Sequence, residues 1–166
     1  MNIGKDDLVV YGKNGICLIE DIKDMQFGGD KGTYYVLRPK SSPSSTVYVP
    51  LSKPNLVSKM RSVMTVKELD GIIELAKNNQ LEWIEDKAER QSKFNSIILN
   101  GNSAELLLLA QSIHIKKAEK EAQGRQLSSS DEGILKTALR LIEEEFSFSL
   151  KCSADEVREY IDKKFK

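Results

Sequence analysis

One change of hydrophobic period divides this chain. Over residues 8–50 apolar and polar residues alternate in short stretches cut by Gly, Pro, Ser and Asn, the pattern of short antiparallel strands. Leu8-Val9-Val10-Tyr11 reads as a first strand, 16–22 as a second, 34–39 as a third and 46–50 as a fourth, and a fifth is expected near 59–63. Asn14-Gly15 favours positive φ and a hairpin turn, and 27–32 and 41–45 read as further connections. Five short strands in about 65 residues suit a small barrel-like sheet better than a sandwich. Its core is expected to draw on Val10, Leu18, Val36, Leu37, Val47 and Val49, although alternation leaves the inward face of each strand open.

From residue 65 the period becomes helical. A side-chain acceptor followed three residues later by Glu recurs at Thr65/Glu68, Asn102/Glu105, Ser129/Glu132 and Ser153/Glu156; such pairs satisfy the orphan N–H groups of a helix start. Helices are predicted over 66–77, 86–99, 103–123, 130–147 and 154–165, the second stopping at Asn100-Gly101. Phe94, Ile97 and Ile98, then Leu106, Leu109 and Ile113, then Leu135, Leu139 and Ile142 supply apolar stripes at helical spacing. The expected architecture is α+β: a five-stranded antiparallel module over 1–64, then a compact bundle of about five helices over 65–166.

The chemistry is sparse. Twenty-five basic and 25 acidic residues cancel, so intrinsic affinity for nucleic acid is expected to be weak and nonspecific. No window has the length and apolarity of a membrane span, and the polar start 1–7 has no apolar signal core, which leads to an expectation of a cytoplasmic, membrane-free, monomeric protein. Cys17 and Cys152 are expected to be reduced and unpaired. The lone His114 reads as a helix-surface residue, no Cys/His spacing suits a metal, and Gly28-Gly29 lacks the context of a phosphate loop. Glu143-Glu144-Glu145 read as a solvated face, because adjacent helical positions splay apart. No catalytic, cofactor or metal site is expected, and the chain reads as a non-enzyme.

Val9-Val10-Tyr11-Gly12 with Gly15, then Tyr34-Tyr35-Val36-Leu37, then Val47-Tyr48-Val49-Pro50, resembles the CarD/CdnL family of bacterial transcription regulators, whose N-terminal module also occurs in the transcription-repair coupling factor. Trp83-Ile84, Arg90, Phe94, Asn100-Gly101-Asn102 and 127–132 extend the resemblance into the helical half. It implies a Tudor-like module that binds the RNA polymerase β subunit, partly by pairing an exposed strand with the partner. Thr46, Val47, Tyr48, Val49 and Pro50 are the candidate edge, with Met25 nearby; Met25 and Tyr48 stand where the better-known branch carries arginine. The resemblance further implies that the helical domain contacts promoter DNA at the upstream edge of the open bubble, stabilising it with a tryptophan wedge. Trp83 is the one tryptophan. It can wedge, or it can pack the joint between two helices. Lys87, Arg90 and Lys93, with Lys116, Lys117 and Lys120, can contact phosphates or form a solvated, ion-paired face. The alternative is a polymerase- or protein-binding adaptor without a direct DNA role, supported by the neutral charge and by Glu85-Asp86, which follow Trp83-Ile84.

Overall fold

The structure, a computed structural model, describes residues 2–166. It separates into one compact unit ending at Val63 and a second from Met64 to Lys166. The first is a five-stranded antiparallel sheet of β1 (Leu8–Tyr11), β2 (Ile16–Phe27), β3 (Asp30–Pro39), β4 (Val47–Pro50) and β5 (Met60–Ser62), with a single helical turn, α1 (Pro54–Val57), before β5. Its order is β4-β3-β2-β1-β5, so β4 and β5 are the two edges. The second unit holds α2 (Val66–Asn78), α3 (Lys87–Asn100), α4 (Ser103–Ala122), α5 (Ser129–Leu150) and α6 (Ala154–Phe165). The α+β class and the helical bundle agree with the sequence pattern. Among the described residues no helix is long and apolar enough to cross a membrane.

Register decides which face of the sheet is core. Val9 pairs with Cys17 and Ile19 with Leu37, and these join Val49 and Met60 in one buried cluster. Leu18 and Val47, expected inside, are only half-buried. Leu18 lies one pleat position from Cys17 and Ile19, and successive side chains of a strand point to opposite faces. A register irregularity between Ile19 and Asp21 then shifts the alternation along β2. The connection expected over 27–32 is shorter than that. Phe27 pairs with Asp30, leaving a two-residue turn, Gly28-Gly29, with φ of 57° and 95°. Glycine adopts both positive values without steric cost, so the strands run on to the turn.

The helical unit is organised by caps and one apolar core. Thr65 and Ser153 form full capping boxes with Glu68 and Glu156, and Asn102 accepts from the Glu105 N–H. The cap of α5 is Ser128 rather than Ser129: its hydroxyl accepts from the Asp131 N–H at 3.2 Å. Gly101 ends α3 in the left-handed region, its N–H returning to Ile97 O at 3.1 Å. Leu69, Ile73, Phe94, Leu109, Ile113, Ile142, Phe146 and Val157 are buried together. Leu139 is exposed, and the stripe passes through buried Ala138 instead. On α6, Tyr160 donates to Asp70 of α2; that bond and burial push the phenol pKa up to about 12.

Glu145 corrects the reading of 143–145 as a solvated face. It lies on the same stripe as Ala138, Leu141 and Ile142, and it is 2% exposed. Its carboxylate accepts from the Met64 N–H at 3.0 Å and from the Ser103 hydroxyl, while Ser149 donates to Met64 O at 2.6 Å. A buried carboxylate is tolerated only when its acceptor sites are filled, and here it ties residue 64 to the starts of α4 and the end of α5. Phe146→Ala is expected to destabilise this unit by about 3–5 kcal/mol. Denaturant titration followed by Trp83 fluorescence reads the helical unit alone, since the tryptophan lies within it.

Candidate functional site

In the sheet unit the candidate site is the β4 edge. Among the described residues β4 pairs only with β3, through Leu37–Val47, Val36–Tyr48, Tyr35–Val49 and Tyr34–Pro50. The Leu51 N–H donates to Thr33 O at 2.9 Å, which fixes the alternation of the ladder. Residues 51, 49 and 47 therefore bond to β3, and Tyr48 turns its N–H and C=O outward. Pro50 has no N–H to offer. Thr46 lies outside β4 and is exposed. Val49 points into the core, Val47 is half-buried, and Met25 is half-buried opposite Gly32.

Tyr48 does not stand alone. Phe27 and Tyr48 are 43% and 41% exposed, with ring centroids 4.9 Å apart, and Phe27 meets Tyr34 edge-on at 5.3 Å. The turn signal at 27–32 places Phe27 in a connection and so gives no reason to join it and Tyr34 to the edge. The alternation Lys23, Met25, Phe27 was the available signal, since it continues one face of β2 to the turn.

In the helical unit the candidates gather around Trp83, in the connection 79–86. Its ring packs against the core and meets Phe94 edge-on at 5.8 Å. The Arg90 guanidinium lies 4.6 Å and the Lys116 ammonium 5.6 Å from its centroid. A groove of about 360 Å³ opens beside it, lined by Leu81, Trp83, Ser112, Ile115, Lys116 and Glu119 among others. The ring thus packs the joint between α3 and α4, with part of it lining this groove.

Arg90 is not part of an exposed basic run. It is 6% exposed, its Nε and Nη2 donating to the two Asp131 carboxylate oxygens at 3.2 and 3.0 Å and its Nη1 to the Ile84 and Glu85 carbonyls at 2.9 and 3.1 Å. Arg90 sits on the buried stripe of α3 with Phe94 and Ile97, while Lys87 and Lys93 are exposed. Lys116 pairs with Glu85 at 3.8 Å and Glu119 at 3.5 Å, and Lys117 with Glu132 at 2.9 Å. Lys120 is half-buried one turn beyond Lys116. Asp86 caps α3, accepting from the Glu89 N–H at 2.8 Å, so the acidic pair after Trp83 has local work. Among the described residues no cluster of three or more His, Cys, Asp or Glu side chains could hold a metal ion.

Residues 4–64 match the family model of the CarD-like/TRCF RID domain. The match spans nearly all of the N-terminal unit and stops at the start of the helical one. No curated protein matches the chain. The RID domain match covers β1 to β5, so the β4 edge and its aromatic neighbours all lie within it.

Asp131 is the acid that holds the Trp83 surroundings. Burial alone would raise its pKa, but hydrogen bonds from Arg90 and Ser128 outweigh it and hold the carboxyl below its usual value. A lowered folded pKa stabilises the protein above the unfolded value and is lost as pH falls through the folded one. The helical unit is therefore expected to lose this contribution below about pH 4. Asp131→Asn leaves a buried guanidinium without its counter-charge, a loss of about 3 kcal/mol or more. Acid titration and denaturation of both proteins, read by Trp83 emission, check the two expectations; in the variant the emission shifts to the red as the ring loosens.

Proposed function

We propose that this protein is a transcription regulator that docks on the RNA polymerase β subunit through the β4 edge and carries its helical unit to promoter DNA at the upstream edge of the open bubble, stabilising the open complex. The carrying observation is an edge strand paired on one side alone, with the Tyr48 N–H turned outward, in a match to the CarD-like/TRCF RID domain. That family connects the chain to transcription and to RNA polymerase. An edge of this kind receives a partner strand by main-chain pairing.

The DNA role rests on Trp83, flanked by cations at its ring, and on exposed Lys87 and Lys93. Lys87 and Lys93 position phosphates, and Arg90 holds the ring rather than touching DNA. Neutral net charge is compatible with this role, because docking on polymerase supplies a high effective concentration of DNA. A second reading, an adaptor without DNA contact, is favoured by one observation: Lys116 and Lys117 are engaged by Glu85, Glu119 and Glu132.

Tyr48→Pro removes both the outward N–H and the exposed Tyr48 ring and leaves the β3–β4 ladder intact, so thermal unfolding is expected to be unchanged while capture of polymerase β fails. Unchanged capture would place the docking edge elsewhere. Lys87→Glu with Lys93→Glu is expected to shorten open-complex lifetime about tenfold at saturating protein through lost phosphate contacts. An unaltered lifetime and upstream footprint would favour the adaptor.

A further inference from the structure

We infer that Phe27, Tyr34 and Tyr48 form an aromatic shelf that supplies most of the docking affinity, and that the β-subunit strand received at β4 presents uncharged, apolar side chains to it. This rests on the polymerase reading above and names the chemistry of its contact.

The backbone edge by itself offers little. Within β4 the outward groups are the N–H and C=O of Tyr48 and the C=O of Pro50, because Pro50 has no N–H and residues 47 and 49 face β3. Each such bond replaces one to water, so its net contribution is small. The remaining affinity must come from side chains beside the edge, and register shows which.

Tyr48 lies opposite Val36, Tyr34 opposite Pro50, and Met25, two residues before Phe27, opposite Gly32. These residues share the sheet face away from the buried cluster of Val9, Cys17, Ile19, Leu37, Val49 and Met60. Lys23, opposite Tyr34, and Arg38, within electrostatic reach of Tyr48 and held by Glu20, bring cations to this face, and Asp21 and Asp30 bring carboxylates, so the rings form an uncharged surface with charges of both signs around it. A strand added to β4 lies about 4.8 Å away, which sets its side chains of the same face directly beside Tyr48. Phe27 and Tyr34 back that ring, at 4.9 and 5.3 Å centroid spacings along the chain of contacts. Two rings held open to water at about two-fifths exposure form an anchor of the type that concentrates binding energy. An apolar contact of this kind is barely screened by salt, unlike a charged one.

The test uses the full chain, purified core RNA polymerase and equilibrium binding across salt. Phe27→Ala and Tyr48→Ala are each expected to weaken binding about tenfold or more. Tyr48→Phe keeps the ring and keeps binding. Wild-type affinity is expected to change less than about threefold between roughly 0.05 and 0.5 M salt. Alanine variants that bind like wild type, or an affinity that collapses with salt, would overturn the shelf and leave the polymerase reading standing. A wild-type chain that does not bind core polymerase removes the polymerase reading itself. Dimerisation of the free chain that Phe27→Ala abolishes would reassign the shelf to a second copy. Both alanine sites are exposed, so melting curves matching wild type verify that the variants fold.

Discussion

The helical unit depends on one buried ion pair. Arg90 on α3 and Asp131 on α5 meet through two parallel hydrogen bonds, and the guanidinium also takes the Ile84 and Glu85 carbonyls. A planar, five-donor cation is the side chain suited to such a junction. Three features follow from it. The connection 79–86 is pulled onto α3, the Trp83 ring acquires a cation at 4.6 Å, and Asp131 is oriented so that Ser128 becomes the cap of α5. The site around Trp83 is therefore a consequence of helix packing, since the group that stacks on the ring is the group that joins two helices.

Glu145 plays a related part at the start of the same unit. Its carboxylate takes the Met64 N–H and the Ser103 hydroxyl, so the first residue of the unit, the start of α4 and the body of α5 are tied at one point. Polar groups buried in this way are specific in geometry, because each unfilled acceptor would be costly. In the sheet unit the opposite principle operates. The edge strand β4 leaves polar backbone groups open, and the neighbouring face leaves aromatic rings open. Both are costs in isolation, and a partner strand of the proposed kind would cover both.

Much of the architecture was legible because it rests on local rules. Alternation marked the strands, capping pairs marked the helix starts, and Asn100-Gly101 marked a helix end. The errors share a physical origin. Phe27 was assigned to a connection because a glycine pair does not reveal how few residues it needs to turn. Ser129 was preferred to Ser128 because spacing to an acid is ambiguous until tertiary contacts orient that acid. The run Glu143-Glu144-Glu145 suggests solvent because it is charged, whereas the helical spacing from Ala138, Leu141 and Ile142 turns Glu145 inward and tertiary contacts supply the hydrogen bonds that make its burial tolerable.

The candidate site divides in the same way. By itself the sequence determined an N-terminal strand module, a helical second half, the place of Trp83 between two helices and the spacing of the basic residues, because these follow from backbone periodicity and composition. Only the tertiary structure decided that Arg90 turns inward while Lys87 and Lys93 stay exposed, that Lys116 reaches Trp83 from α4, and that Phe27, Tyr34 and Tyr48 share one face beside an open edge. Each of those depends on register or on packing between distant segments, where a one-residue shift exchanges core for surface.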